Sequence, residues 1–305
     1  MRIKTILNRF LGIKTKEELK KAKTSKGKTR EFIESFLFLF IAAFFIITFI
    51  IQNTRIPTGS MEDTILVGDF VLVNKFIFGS QSPKYIPFTQ IEIPHFRLPA
   101  LREPRRKDLV VFEFPGNRDQ IFADERGVNY VKRCIGLPGD TIQVINKIVY
   151  INHKQFWIPP HIQYGEPLVN AELFPKGMPW NEDNYGPLIV PKKGYTVLLD
   201  VNNIEEWETT INRAYGEKVV DIRNRVVTIK GKPVTSYTFD RNYYFMMEDN
   251  RNNSLDSRFW GFVPGDSIVG EAFMTLFSWD RDIPFTDFFR LIGSIRPDRI
   301  LLLLN

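Results

Sequence analysis

Two residues far apart in this chain have the chemistry of a nucleophile and its base. Ser60 follows a turn, Pro57-Thr58-Gly59, that begins six residues past an apolar run. Lys132 stands in Tyr130-Val131-Lys132-Arg133-Cys134-Ile135-Gly136-Leu137-Pro138-Gly139-Asp140, a β-rich apolar stretch that runs into a Gly-Leu-Pro-Gly turn. A serine hydroxyl attacks a carbonyl only when a base removes its proton, and a desolvated lysine amine can be that base. The three histidines, His95, His153 and His161, lie in no recognisable motif, so no Ser-His-Asp set is apparent. Read singly, Ser60 is an ordinary turn serine and Lys132 a strand-end lysine in solvent.

A lysine in water titrates near about 10.4, so a basic amine at neutral pH must sit where the cation is disfavoured. Burial lowers a lysine pKa by up to about 3–5 units, and Tyr130, Val131 and Ile135 supply apolar surface for it. Strand alternation points Arg133 to the other face. Cys134, the one cysteine, falls on the same face as Lys132 and is the alternative nucleophile; its bland reading is a small buried apolar group. A single cysteine excludes an internal disulfide framework and a cysteine-rich metal site.

Most elements that must hold these residues read as strands. Phe70 to Lys75, Asp108 to Phe114 and Asn129 to Ile135 are rich in Val, Ile, Phe and Tyr. Thr141 to Ile145 and Ile148 to Ile151 flank Asn146-Lys147, a tight hairpin. Val226 to Ile229 and Val234 to Thr238 flank a Lys-Gly-Lys-Pro turn, and Tyr243 to Met247 and Ser267 to Met274 are later strands. Helix is scarce: Asn203 is placed to cap a helix over Ile204 to Tyr215, with Trp207 and Ile211 four apart on one face. Gly79 to Lys107, with five prolines, and Pro159 to Pro191 read as surface connections.

The N-terminal part differs in kind. Phe36 to Ile51 is an uncharged apolar run, and extension back to Phe32 reaches the roughly 20 residues that a bilayer span needs. The run shows no polar face and is longer than a secretory h-region. Residues 1 to 30 carry +9, which leaves −3 for the rest of a chain whose total is +6. A basic tail on a slightly acidic body points to a membrane surface and a cytosolic N-terminus, not to nucleic acid.

Four segments carry a family resemblance, in family order. Ile56-Pro57-Thr58-Gly59-Ser60-Met61 resembles the serine box of bacterial type I signal peptidases (leader peptidases), and Tyr130 to Asp140 resembles their lysine box. Asp249-Asn250-Arg251-Asn252-Asn253-Ser254-Leu255-Asp256-Ser257-Arg258-Phe259-Trp260-Gly261-Phe262-Val263-Pro264 is similar to their third box, and Asp108 to Phe112 to a shorter fourth. The resemblance implies a mainly β fold: an antiparallel β catalytic domain with an inserted β-rich region, preceded by one N-terminal transmembrane helix. The expected organisation is a basic cytosolic tail over 1–31, a membrane helix over 32–51 and an extracytoplasmic region over 52–305. Within that region the catalytic domain takes about 52–150 and 241–305, and the insertion about 151–240.

By that resemblance Ser60 is the nucleophile and Lys132 the general base. The Thr58 hydroxyl and the Ser60 backbone N–H form the oxyanion hole, Ser254 orients the lysine, and Asp256 and Arg258 form an ion pair beneath the site. Ile56, Pro57, Met61, Ile65, Tyr130 and Val131 line a groove for small substrate side chains, although Met61 reads equally well as core. The implied activity is removal of signal peptides from exported preproteins emerging from the secretion translocon, after small residues at −1 and −3, with no metal, cofactor or nucleic acid and with the lipid bilayer as a partner. The alternatives are a peptidase that matures one secretion or pilus substrate, and a non-catalytic membrane protein that binds signal peptides. Two positions depart from the family pattern: Asp63 stands where proline is frequent, and Glu248 where the third box usually begins with glycine. Glu248 is expected to point outward, since an inward carboxylate would stabilise the charged form of Lys132.

The charge asymmetry fixes an orientation that protease accessibility can check. Protease added to spheroplasts should digest the body beyond Arg55 and leave Lys20 to Lys28 in a protected membrane fragment; full protection of the body would reverse the topology.

Overall fold

The computed structural model describes residues 25–55, 61, 64–83, 91, 93–124, 127–158, 172–249, 251, 255–280, 282–284 and 286–304. The chain divides into two compact units between Ile50 and Ile51. The described part of the first is a single helix, Ser25–Phe49, without an acidic residue in its first turn or a basic one in its last. Its stretch Thr29–Phe49, 21 residues, is the one helix among the described residues that is long and apolar enough to cross a membrane. Large apolar side chains such as Phe32, Phe36, Phe40 and Ile47 lie exposed along it. Arg30 and Glu34 pair at 2.8 Å one turn apart, before the uncharged run begins.

The second unit is built on an antiparallel sheet of eight described strands. Its order is β1 (Ile51–Arg55), β2 (Asp69–Asn74), β16 (Ile268–Ser278), β3 (Leu109–Glu113), β4 (Asn129–Gly136), β14 (Tyr243–Met247) and β15 (Val263–Pro264), with β17 (Leu302–Leu303) also pairing β16. Strands β3 and β14 are nearly continuous apolar runs, LVVFE and YYFMM, and every residue of β14 is buried. A strand with two apolar faces must be covered on both.

The cover on one side comes from the other sheets. Strands β5 (Thr141–Ile145), β6 (Ile148–Ile151), β7 (Lys154–Gln155) and β8 (Tyr185–Ile189) form a second sheet in the order β7-β6-β5-β8. The β5–β6 hairpin turns on Asn146 and Lys147, both at positive φ, as a two-residue turn between right-twisted strands requires. Strands β9 (Thr196–Leu198) and β13 (Ser236–Thr238) pair, and β10 (Val220–Arg223), β11 (Val226–Ile229) and β12 (Lys232–Pro233) form a small sheet. The helix Ile204–Tyr215 buries Ile204, Trp207 and Ile211. These join Ile142, Leu188, Phe239, Phe245 and Phe262 in one apolar cluster, so the region between β5 and β13 shares its core with β14.

Three details differ from the sequence reading. Asn203 does not cap the helix with its side chain: its Oδ1 accepts from the Asp200 N–H at 2.9 Å and its Nδ2 donates to the Leu198 carbonyl at 2.8 Å, so it closes the preceding turn instead. Of the stretch Val234 to Thr238 only Ser236–Thr238 is strand, and it pairs with β9, while the strand that returns along β11 is Lys232–Pro233 within the expected turn. Strand β16 continues four residues past Met274, to Ser278. Two register shifts against β2 break its alternation, and the extension is held by stacking of Phe277 on Phe70 at 4.4 Å.

Two of the four bases in the segment Arg102 to Lys107 are held by ion pairs. Arg102 pairs with Asp108 and with Glu271 on β16, and Arg106 with Asp140 at 2.7 Å. Arg97 donates to the backbone carbonyls of Phe78, Gly79, Gly265 and Ile268 and so ties this connection to the edge of the sheet.

Where β16 crosses β2 the backbones are too close for a side chain. A Cβ on Gly270 would stand 2.5 Å from the Asn74 carbonyl oxygen. Overpacking of this kind costs about 1–3 kcal/mol, so Gly270→Ala should lower the denaturation midpoint of the body accordingly, with an unchanged slope; a wild-type midpoint would show that the strands separate freely there.

Candidate active site

Lys132 lies in the middle of β4, opposite Val110 of β3. Its side chain is buried, with the residue 3 % exposed. The Nζ stands 5.6 Å from the centre of the Tyr130 ring and 5.9 Å from that of Trp260. Those rings are braced edge-on at 5.9 Å, and Phe114 stacks on Tyr130 at 4.5 Å and meets Trp260 edge-on at 5.3 Å. Two aromatic side chains, Tyr130 and Trp260, therefore wall the amine and Phe114 braces both, with Val110, Phe112, Cys134 and Met246 in the same buried cluster. Burial holds Lys132 below the ordinary lysine range, and the carboxylates of Glu248 and Asp256 oppose it without prevailing. A lysine in that state presents a neutral amine at lower pH than one in water, which is the condition for a base.

The expectation that Glu248 points outward is wrong. Glu248 is 1 % exposed and ion-pairs with Lys132. The reason is register: β14 pairs β4 with Met246 across from Cys134 and Met247 across from Arg133, so the ladder continued by one residue sets Glu248 across from Lys132. Cross-strand partners on one face touch, and a carboxylate opposite a buried ammonium has no alternative orientation that satisfies it. Burial pushes the Glu248 carboxyl up to about 8, against the pull of Lys132.

The other face of β4 carries a second buried pair. Arg133 grips Asp249 through Nε at 2.9 Å and Nη2 at 2.7 Å, so strand alternation does send it away from Lys132. Asp249 also accepts from the Thr64 hydroxyl at 2.8 Å. That contact anchors the turn after the serine segment, in which the N–H groups of Thr64 and Ile65 donate to the Met61 carbonyl. Met61 and Ile65 are buried with Val71, Val73, Leu109, Val111 and Val131. At 1 % and 0 % exposure they pack in the core instead of facing an open groove, while Tyr130 remains half-buried beside the amine. Ile56, Pro57, Thr58, Ser60 and Ser254 lie outside the described residues. The neighbours in sequence of the proposed dyad, Met61 and Val131, belong to one cluster.

Asp256 and Arg258 are fully buried and paired, with Arg258 Nε and Nη2 donating to Asp256 at 3.0 and 2.8 Å. Asp256 also accepts from the Arg258 N–H at 2.9 Å and caps the short helix Ser257–Trp260 that carries the Trp260 wall. Arg258 reaches further, to the carbonyls of Glu182 at 3.1 Å and Arg251 at 2.7 Å. The pair thus ties the connection that carries Arg251 and Asp256 to the one that carries Glu182. Cys134 is fully buried, and burial pushes its thiol well above the ordinary range, which disfavours the thiolate that attack would need. Sequence reasoning missed Trp260 as a wall of the site and Asp249 as the anchor of Thr64. Both sit in the quoted third box; the pairing of β14 with β4 gives Asp249 its role, and the helix Ser257–Trp260, capped by Asp256, brings Trp260 to the amine.

Removal of one partner of a buried ion pair leaves the other charge uncompensated and costs about 3–5 kcal/mol. Asp256→Ala should therefore destabilise the body by that order, and Asp256→Ala combined with Arg258→Met should recover part of the loss. Additive losses in a double-mutant cycle of thermal unfolding would show that the two do not act as a pair.

Comparison with known proteins agrees with this geometry. The family model for signal peptidase, peptidase S26, matches residues 29–277. A signal peptidase I from Buchnera aphidicola subsp. Acyrthosiphon pisum is 33 % identical over 281 residues, covering 86 % of this chain and 80 % of that protein. One from Pseudomonas aeruginosa is 30 % identical over 82 % of this chain and 72 % of its own length. One from Aquifex aeolicus is 29 % identical over 82 % and 84 %. With most of its length matched by the family model, and with relatives of this similarity along most of both chains, the chain belongs to the signal peptidase family, peptidase S26.

Proposed function

We propose that this chain is a membrane-anchored serine endopeptidase that cuts signal peptides from exported preproteins, with Ser60 as nucleophile and Lys132 as general base. The observation that carries the reading is the Lys132 amine, buried against Tyr130 and Trp260, rings that Phe114 braces, and held below the ordinary lysine range. The Ser60 hydroxyl attacks the scissile carbonyl and gives its proton to Lys132. The oxyanion accepts hydrogen bonds from the Ser60 N–H and the Thr58 hydroxyl. As the C–N bond breaks, the Lys132 ammonium protonates the leaving amine. Water then attacks the acyl-enzyme as Lys132 takes its proton; the bond from the Ser60 oxygen to the acyl carbon breaks, the signal peptide leaves with a new carboxyl group, and Lys132 returns the proton to the Ser60 oxygen. Ser254 orients the amine, and the Asp256–Arg258 pair holds the loop that carries it.

The substrate is a preprotein with small residues at −1 and −3, presented at the membrane in which the helix Thr29–Phe49 lies, with the body on the extracytoplasmic side. A lipid surface also suits the exposed Phe288 and Phe289, the latter 88 % exposed, beside Arg290. Trp279 instead packs within the body, edge-on to Phe70 at 5.0 Å.

Cleavage of a model preprotein in detergent tests this reading. Ser60→Ala and Lys132→Ala should each abolish turnover with the fold intact, and Lys132→Arg should be equally inactive because arginine does not deprotonate. Cys134→Ser should keep most activity. A phenylalanine at −1 should block cleavage where alanine is accepted. Signal-peptide binding without turnover by the wild type would favour a receptor, and cleavage of one substrate only would favour a specialised maturation peptidase.

A further inference from the structure

The Lys132 amine has a carboxylate in direct contact, and that carboxylate belongs to a residue that stands where the signal peptidase pattern usually has glycine. Glu248 reaches Lys132 from the end of β14 and is 1 % exposed. The other described ionisable groups packed around the pair have partners of their own. Asp256 is committed to Arg258 and accepts from the Glu248 N–H at 3.4 Å. Arg133 and Asp249 pair on the opposite face of β4. Arg251 donates to the Met247 sulfur, and Glu182 offers its carbonyl to Arg258. Tyr130 shows the amine its ring face.

We propose that Glu248 is a positioning residue for Lys132: its carboxylate fixes the amine within the aromatic walls and holds a proton on it, so that Glu248 sets the pH at which the base becomes available. This rests on the reading of Lys132 as general base. The two groups form one titrating unit whose apparent constants belong to the pair. With one proton shared, the pair is neutral overall and suits its dry surroundings. An amine that holds this proton cannot accept another from a serine hydroxyl. Base-competent molecules are those in which the proton has moved to the Glu248 carboxyl or left for solvent. Both routes are consistent with the directions found: burial lowers Lys132 and raises Glu248 to about 8, while each charge opposes the change in the other. Removal of the carboxylate leaves burial at Lys132 opposed by Asp256 alone, so the neutral amine appears at lower pH.

The pH dependence of kcat/KM on a model preprotein with alanine at −1 and −3 tests this, with the full chain in detergent. An opposite charge in contact moves a pKa by about 1–3 pH units. The acid limb should therefore move down by at least about one pH unit in Glu248→Gln and in Glu248→Gly. At a pH on the wild-type limb, each pH unit of that movement gives a roughly tenfold gain in rate. Glu248→Asp, which keeps the charge, should stay closer to the wild-type profile. Gln and Gly profiles that superimpose on the wild type would overturn the inference. So would a loss by the same factor at every pH, or failure of both variants to fold, since either assigns the carboxylate a purely structural role. Activity in Lys132→Ala is a separate outcome: it would remove the general-base reading itself.

Discussion

An ammonium taken from water into an apolar interior costs several kcal/mol even after the protein relaxes around it. The second unit of this chain places one at the centre of its main sheet, and much of the surrounding architecture follows from that placement. Lys132 has β3 on one side and β14 on the other and is almost wholly buried. Above the strand, Phe114, Tyr130 and Trp260 close edge-on and stacked contacts that a flexible aliphatic wall would not hold as firmly. The result is an amine whose charge is disfavoured by its environment and whose position is fixed by neighbours on both strands.

The β4–β14 register then decides which other charges must be buried. Once Met247 lies across from Arg133, the ladder brings Glu248 to Lys132 on one face and leaves Asp249 within reach of Arg133 on the other. Two adjacent acids on one strand end thus neutralise two adjacent bases on its neighbour, on opposite faces. The Asp249 side then recruits Thr64, which ties the turn after the serine segment to the strand that carries the lysine. The third pair, Asp256 and Arg258, supports the loop between β14 and the Trp260 helix. Buried pairs are not efficient sources of stability, but each fixes a backbone position that an apolar contact would leave free to slide.

The parts of this design that depend on local signals are readable in the sequence. The β5–β6 hairpin is bounded by its turn residues, and the helix over Ile204 to Tyr215 by its apolar spacing, so their ends fall where the residues place them. Cap and strand-end details are less legible because tertiary partners compete for the same groups: Asn203 is drawn into the preceding turn, and β16 is extended by Phe70 and by register shifts that spoil its alternation. Glu248 is the residue that the sequence hides most completely. Nothing near it in sequence distinguishes inward from outward, because its direction is set by a strand more than a hundred residues earlier. The family pattern locates the lysine, and only the register locates its partner.

The same contact explains how a pocket this enclosed remains compatible with a usable base. Burial of a lysine by itself lowers its pKa by up to about 3–5 units. A base pushed so far down is neutral at most pH values but accepts a proton weakly, and a general base works best when its pKa is near the working pH. A carboxylate in contact restores part of the lost basicity without readmitting water. In this chain Glu248 supplies most of that counterweight, where a glycine would leave only Asp256 against burial, and the rings of Tyr130 and Trp260 can then close on the amine. Dryness and basicity are set by different side chains, the rings of Tyr130 and Trp260, braced by Phe114, for the one and the carboxylate of Glu248 for the other.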